Sequence, residues 1–233
     1  MIDLELLSAS LPRLLGGLAL TVELLAVALT LGLLMALPLA LMRRARSAWL
    51  RAPAVGYIFF FRGTPLLVQI FLIYYGSGQF RGLFESLGLW VVLREAYWCA
   101  ILAFALNTAA YTAEILRGAI GAVPAGEIEA GRALGLGPLA LYRRIVLPRA
   151  VRLALPAYGN EVVLMMKGSA LASTIALVDL MGAARQVYSR TFALEVYSYA
   201  AVLYLVLAFA IGIAVRRLER HLSPEMSATL NSK

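Results

Sequence analysis

The sequence predicts an all-α polytopic membrane protein with five transmembrane helices, and three observations support this fold class. Hydrophobic residues make up 62% of the 233 positions, and the mean hydropathy is +0.83. The apolar residues fall in long blocks, each near or above the roughly 20 residues that cross a hydrocarbon core of about 30 Å. Lys and Arg collect instead in short segments between the blocks. A soluble domain of this length could not easily bury so much apolar surface.

Five apolar blocks define the predicted spans. They run from Leu14 to Met42, from Pro53 to Tyr75, from Ala96 to Leu116, from Leu155 to Leu177 and from Val196 to Val215. We expect residues 1–233 to form a single transmembrane domain. Its net charge of +8 favours contact of the loops with anionic membrane lipid, and we expect no nucleic-acid partner.

The distribution of basic residues predicts the orientation. Arginines are concentrated after the first, third and fifth spans, in RRARSAWLR, in residues 117–152 and in RRLERH. The loops after the second and fourth spans hold two Arg each, and acidic residues balance them. The positive-inside rule therefore places the N-terminus outside and the C-terminus in the cytoplasm.

The segment from Ile128 to Pro148 is amphipathic, and this orientation places it in the cytoplasm. The turn signal Gly135-Leu136-Gly137-Pro138 predicts a pair of short helices. Periodicity alone allows two interpretations: a helix that rests on the lipid surface, or a docking element for another protein.

The spacing inside this segment distinguishes the two interpretations. Glu129-Ala130-Gly131, then Gly135 after three residues, then Ile145-Val146-Leu147-Pro148 after nine residues, resembles the cytoplasmic loop of ABC-importer permease subunits. The family pattern has Ala where this chain has Gly131, a change between two small residues. Three further stretches resemble the histidine/octopine-type polar amino acid permeases: FRGTPLLVQIF, NTAAYTAEILRGAI and LPAYGNEVVLMMKGSALAST. The resemblance covers nearly the whole chain.

The resemblance implies the fold and the partners of a type I ABC importer. It implies a bacterial inner-membrane permease for polar, cationic amino acids (Arg, Lys, His or ornithine) or opines. The expected partners are two ATP-binding subunits, a homologous or identical second permease subunit and an extracytoplasmic substrate-binding protein. A coupling loop at about residues 117–152 would contact the ATP-binding subunits, through Glu129, Ala130, Gly131, Gly135, Ile145, Leu147 and Pro148.

The sequence also indicates what this chain does not do itself. It contains no G-x-x-x-x-G-K-[ST] phosphate loop, so ATP hydrolysis is expected on partner subunits. Cys99 lies in an apolar run and His221 in a charged tail, so we expect no metal, no cofactor and no catalytic constellation. A membrane enzyme is therefore disfavoured. A secondary transporter is disfavoured as well, because no repeated pair of spans is visible.

Polar residues inside the spans are candidate substrate contacts, since such groups are costly in lipid. Asn107, Tyr111 and Glu114 lie at i, i+4 and i+7 and therefore share one helix face, which we expect to line a wet cavity. The fourth span adds Glu161, Lys167 and Ser169 as further candidates. Carboxylates together with a lysine suit the two charges of an amino acid.

Two structural alternatives remain open for these residues. Glu114 can pair with Arg117 at i+3, and Lys167 can pair with Glu161 so that both charges are neutralised. Arg62 and Pro65 are predicted to shape a kink at the entry to the second span. In that role Arg62 reaches the interface or bonds carbonyls that the kink frees.

Overall fold

The computed structural model describes residues 4–222, and this part of the chain is helical with no strand. The C-terminus, which the positive-inside rule places in the cytoplasm, lies outside the described residues. The helices are α1 (Leu4–Arg43), α2 (Ala48–Gly63), α3 (Leu66–Gln79), α4 (Arg81–Ser86), α5 (Trp90–Leu93), α6 (Ala96–Gly121), α7 (Ala125–Ala133), α8 (Pro138–Leu141), α9 (Leu147–Gly168), α10 (Leu180–Thr191) and α11 (Glu195–Leu222). A π-helical segment, Tyr142–Val146, joins α8 to α9, and a 3₁₀ segment, Ser169–Ile175, follows α9.

The five predicted spans correspond to three long helices and two bent pairs. Helices α1, α6 and α11 are each long and apolar enough to cross a membrane. Helices α2 and α3 form the first bent pair, with an angle of 103° between them. The helical stretch Pro138–Ile175 and α10 form the second, with an angle of 49°. The all-α membrane fold is therefore confirmed, with the second and fourth spans each broken in two.

The second predicted span, Pro53 to Tyr75, is wrong as a continuous helix. The chain is broken in its middle, at Thr64 and Pro65, rather than kinked at its entry. Pro65 has no N–H to donate, and its ring forces the preceding residue into extended backbone. Thr64 accordingly has φ −111° and ψ 145°, and α2 ends at Gly63.

The fourth predicted span, Leu155 to Leu177, also differs from the observed helices. Its helix begins earlier, because α8, the π-helical segment and α9 run on without a break. It ends at Ala176, which has a left-handed backbone with φ 65°. The unpredicted helix α10 then begins after Asp179, whose carboxylate caps it by accepting the Gly182 N–H at 3.0 Å.

Helix α1 is longer than its predicted span, with 40 residues and, at 1.5 Å per residue, a length of about 60 Å. Its additional N-terminal turns pack on α10 and α11, where Leu6 and Leu7 contact a cluster that contains Leu14, Leu180 and Val196. The Leu180 N–H donates to the Thr21 hydroxyl at 3.0 Å, which fixes the start of α10 against α1.

Helix α6 lies at the centre of the bundle, between α1, α2, α3 and α9. Small residues allow this close packing. Gly32 of α1 lies so close to α6 that a Cβ at this position would clash with the Thr108 side chain. On another side, the Tyr57 hydroxyl of α2 donates to the Leu106 carbonyl at 2.7 Å. The polar residues Asn107 and Tyr111 of α6 face the α2–α3 break.

Candidate functional site

The break between α2 and α3 is held together by one buried amide side chain, that of Gln69. Its Nε2 lies 2.9 Å from the Phe61 carbonyl, 3.0 Å from the Thr64 carbonyl and 2.8 Å from the Thr64 hydroxyl. These groups lose helical partners where the helix breaks, and inside a membrane they must be satisfied by protein. Gln69, which is 2% exposed, supplies the donor.

Asn107 joins the central helix to the same break. Its Nδ2 donates to the Gln69 Oε1 at 2.9 Å and approaches the Phe61 carbonyl at 3.3 Å. The kink is therefore stabilised by Gln69 and Asn107. Of the two roles expected for Arg62, the bonding of freed carbonyls is not observed among the described residues, because the amides of Gln69 and Asn107 occupy that position. The other role, reaching the interface, stays a prediction.

A cavity of about 470 Å³, the break cavity, opens at this junction. It is lined by Arg62, Gly63, Thr64, Pro65, Leu66, Asn107, Tyr111, Glu161, Leu164 and Met165. Four elements meet there: the end of α2, the start of α3, the middle of α6 and the C-terminal half of α9. Its volume lies within the range of roughly 300–1,000 Å³ typical of sites for small ligands.

The break cavity combines one carboxylate, one guanidinium and one aromatic ring. Glu161 is 5% exposed, and its Oε1 accepts the Thr108 hydroxyl at 3.2 Å. The Arg62 guanidinium lies over the Tyr111 ring, with Cζ 5.1 Å from the ring centroid. A carboxylate can pair with an ammonium or a guanidinium, and a guanidinium can pair with a carboxylate. The cavity therefore has groups for both charges of an amino acid.

A second cavity of about 370 Å³, the arginine cavity, lies on the other side of Arg62. It is lined by Arg43, Val55, Ile58, Phe59, Arg62, Gly63 and Glu114. Glu114 accepts a hydrogen bond from Arg117 Nε at 2.8 Å and lies 3.2 Å from Arg43 Nε. The predicted Glu114–Arg117 ion pair is therefore confirmed, with Arg43 as an additional partner.

The polar face predicted for α6 is present and is divided between the two cavities. Asn107 and Tyr111 line the break cavity, and Glu114 lines the arginine cavity. The three candidate residues predicted on the fourth span do not lie together. Glu161 lies in the break cavity, whereas Lys167 and Ser169 line neither cavity.

Lys167 and Ser169 are placed away from the other candidates. Lys167 is exposed on α9, and among the described residues it forms no ion pair with Glu161. Ser169 is fully buried, and its hydroxyl donates to the Met166 carbonyl at 2.7 Å. Contact of these two residues with substrate stays a prediction.

A third cavity, of about 850 Å³, is not suited to a charged solute. It lies between α3, α4, α5 and α6, and aliphatic and aromatic side chains such as Phe71, Phe84 and Leu102 form most of its wall. None of its lining residues carries a charge. An ionised amino acid placed there would lose its hydration without gaining a partner.

The α7–α8 segment (residues 125–148) forms the predicted pair of short helices. Gly131 is buried in α7, where an added Cβ would lie 2.5 Å from the Ile145 Cδ1 and 2.6 Å from the Leu141 Cδ1. Gly135 makes the turn with φ +76°, a conformation that favours glycine. An ion pair of 3.3 Å between Glu127 and Arg149 ties α7 to the start of α9.

The outer surface of the α7–α8 segment is partly apolar. Leu134 and Leu139 are each 82% exposed. The remaining residues of the family pattern are placed around them: Glu129, Ala130, Gly135 and Pro148 are exposed, and Ile145 and Leu147 are half-buried. The arginines of this segment, including Arg143 and Arg144, are exposed as well. An exposed apolar pair with a charged rim is typical of a surface that binds another protein.

Sequence reasoning missed three contributors to the site. Arg62 was assigned a structural role, but it lines both cavities. Gln69 was not singled out, although a lone amide in an apolar span is the signal that could have identified it. Thr108, which bonds Glu161, lies beside Asn107 in the sequence and gave no separate signal.

The chain is similar in sequence to known transport proteins. Residues 28–225 match the family described as binding-protein-dependent transport system inner membrane component. The nopaline transport system permease protein NocM of Agrobacterium fabrum is 48% identical over 97% of this chain and 94% of its own length. The octopine transport system permease protein OccM of Rhizobium meliloti is 51% identical over 93% of this chain and 88% of its own length.

A solved structure gives the same result for the fold. It is described as the crystal structure of an amino acid ABC transporter with histidines, and one of its chains is 35% identical to this chain. The two superpose with a TM-score of 0.84 over 95% of this chain and 99% of that chain.

Proposed function

Because the chain belongs to the family of binding-protein-dependent transport system inner membrane components, and is a permease subunit of an ABC importer, we propose that its break cavity receives the transported solute. One observation carries this proposal. A carboxylate, a guanidinium and an aromatic ring, on Glu161, Arg62 and Tyr111, line one cavity of suitable volume inside the bundle. Charged groups inside a membrane protein are retained chiefly where they serve transport or a ligand.

The solute is a cationic amino acid or an opine. Glu161 pairs with the ammonium or guanidinium of the solute, and Arg62 pairs with a carboxylate. The relatives named for nopaline and octopine support this class, because both compounds join a guanidinium to more than one carboxylate. Asn107 contributes mainly by holding the break through Gln69. Glu114 acts as an ion-pair anchor between α1 and α6 rather than as a contact in the break cavity.

ATP is hydrolysed on two partner subunits, and the α7–α8 segment is the surface that binds them. Leu134 and Leu139 enter an apolar cleft of the partner, while the exposed Glu129 and the arginines around it form polar contacts at the rim. The continuous helical connection from α8 into α9 supports this role. Because α8 and α9 belong to one helical stretch and Glu161 lies on α9, a displacement of α8 would also move Glu161.

The remaining partners and the orientation follow the family. A second permease subunit, identical or homologous, completes the translocation path, and an extracytoplasmic binding protein delivers the solute. In a bacterial inner membrane, the N-terminus lies outside and the α7–α8 segment lies on the cytoplasmic side.

A tag inserted at Gly82 should be labelled only from outside, and one at Gly126 only from the cytoplasm. The opposite pattern would exclude this orientation.

Reconstitution of the complete transporter tests the proposed function. Proteoliposomes containing this chain and its partner subunits are supplied with the binding protein and with radiolabelled octopine, nopaline, L-arginine or L-histidine. We expect ATP-dependent uptake of at least one of them, and none of a neutral amino acid such as L-leucine. Equal uptake of L-leucine would show that the charged groups of the break cavity do not select the solute.

A further inference from the structure

The arginine cavity carries more positive charge than its single carboxylate balances. Arg43 and Arg62 line it on the positive side and Glu114 on the negative side. Glu114 already accepts a hydrogen bond from Arg117, a third guanidinium that lies outside the lining. Its contact with Arg43, at 3.2 Å, lacks the geometry of a hydrogen bond. The guanidinium groups that face this cavity therefore retain capacity to bind an anion.

Arg62 separates the two cavities and is not held by an ion pair. Among the described residues, no carboxylate lies within 4.0 Å of its guanidinium. Its guanidinium lies over the Tyr111 ring, with Cζ 5.1 Å from the ring centroid. At an exposed site a cation–π contact is weaker than a charge-assisted hydrogen bond to a carboxylate. A ligand carboxylate can therefore draw Arg62 away from Tyr111 on either side.

We propose that the arginine cavity is a second binding station for the transported solute, where a carboxylate of the solute binds between Arg43 and Arg62. This inference rests on the proposed function, in which the break cavity receives the solute first. Val55, Ile58 and Phe59 form the apolar part of the wall, beside which the aliphatic part of a solute can lie. The break cavity thus has groups for both ends of the solute, in Glu161 and Arg62, whereas the arginine cavity recognises the anionic end through Arg43 and Arg62.

Compounds with the same guanidine and different numbers of carboxylates separate the two stations. Nopaline, octopine, L-arginine and agmatine carry three, two, one and no carboxylates. Agmatine should therefore occupy the break cavity only, whereas octopine should occupy both. The chain has a single cysteine, the buried Cys99, so replacing it with alanine gives a background in which an introduced cysteine is the only thiol of this subunit.

The experiment uses the complete transporter in nanodiscs. Val55→Cys reports on the arginine cavity and Leu164→Cys on the break cavity, since each residue lines only one of them. A charged methanethiosulfonate reagent modifies the cysteine, and the mass of this chain gives the rate. At about ten times its Kd, octopine should slow modification at both positions by about tenfold through mass action. Agmatine should slow it at Leu164→Cys only.

Two substitutions locate the second station. Arg43→Gln should abolish protection by octopine at Val55→Cys and leave that at Leu164→Cys unchanged. Arg117→Gln removes the other ion pair of Glu114 without changing the lining, so it should preserve protection at both positions. Protection at Val55→Cys that survives Arg43→Gln would overturn the inference.

The remaining outcomes separate the inference from the proposed function. Protection by octopine at Leu164→Cys alone would exclude the second station and leave the proposed function intact. Protection at neither position, with octopine uptake intact, would refute both. If Val55→Cys instead becomes reactive only when the anionic lipid phosphatidylglycerol is replaced by the zwitterionic phosphatidylcholine, the arginine cavity binds an anionic lipid headgroup and the inference is wrong.

Discussion

The α2–α3 break buries polar side chains, whereas the α7–α8 segment exposes apolar ones. At the break, amide and carboxylate groups are buried among membrane-spanning helices, as Gln69 and Glu161 show. In the α7–α8 segment, Leu134 and Leu139 are exposed among charged residues. Each arrangement has a cost in isolation, since buried polar groups lose hydration and exposed leucines order water.

The two regions differ in whether this chain itself supplies the contacts that offset this cost. Within the break, the polar groups satisfy one another and the broken backbone, so residues of this chain supply their hydrogen-bond partners. Leu134 and Leu139 of the α7–α8 segment have no such internal cover. A second polypeptide would bury them, and this is the physical basis for the proposal that the ATP-binding subunits bind there. Changes at the break should therefore affect stability and solute, and changes in the segment should affect partner binding.

The largest effect is expected for Leu139→Asp. It removes an apolar contact and introduces a carboxylate that would be buried without a partner, a change that costs about 3–5 kcal/mol. Binding of the ATP-binding subunits should weaken by at least about a hundredfold. Co-purification of those subunits, with uptake measured in parallel, provides the readout. Leu194→Asp is the matched control, because this leucine is also exposed but lies between α10 and α11.

The next effect concerns the break itself. Gln69→Leu leaves the Thr64 carbonyl without its side-chain donor and the Asn107 amide without its Gln69 acceptor, and unsatisfied buried groups cost about 1–3 kcal/mol each. Thermal unfolding in detergent should show a clearly less stable protein, and binding of ATP-binding subunits to the folded fraction should be normal. Gln79→Leu, an exposed site on the same helix, should have no comparable effect. Equal stability of the two variants would contradict the role of Gln69.

A graded series at Gly131 tests how closely α7 packs on the following helix. Gly131→Leu overpacks the contact with Leu141 and Ile145, which costs about 1–3 kcal/mol. Uptake should fall by roughly tenfold, since α7 is displaced. Gly131→Ala should retain most of the activity, because only the ends of two flexible side chains must move. Gly126→Leu, where a side chain meets no atom within 4 Å, should transport normally.

The smallest effect is expected for Glu114→Gln. Its ion pairs with Arg43 and Arg117 are partly exposed, and pairs of this kind contribute about 0–1 kcal/mol. A small loss of thermal stability should accompany unchanged selectivity between cationic and neutral solutes. A selective loss of cationic uptake at unchanged stability would instead support direct recognition of the cation by Glu114.

Periodicity and local signals predicted much of the fold. The polar face of α6 follows from the spacing of Asn107, Tyr111 and Glu114, and the turn of the α7–α8 segment follows from Gly135. The angle at the α2–α3 break could not be predicted, because it depends on the long-range bond between Gln69 and Asn107.

The composition of the site was less accessible to sequence reasoning for the same reason. Arg62 and Glu161 are about a hundred residues apart in the chain, and only the packing of α2 against α6 and α9 brings them to one cavity. Lys167 lies close to Glu161 in the sequence, yet its side chain is exposed on another face of α9. Spacing along one helix predicts a shared face, but it does not show which faces of different helices meet.

Simultaneous measurement of uptake and ATP hydrolysis in the same proteoliposomes tests the central claim that solute and ATP-binding subunits use different regions of this chain. Glu161→Gln keeps the side-chain volume and removes one charge-assisted contact, so octopine uptake should fall by about ten- to a hundredfold. Basal ATP hydrolysis should stay at the wild-type rate, because the α7–α8 segment is unchanged. In Leu139→Asp both activities should be lost together. Wild-type uptake in Glu161→Gln, or a parallel loss of its basal ATP hydrolysis, would contradict the division between the two regions.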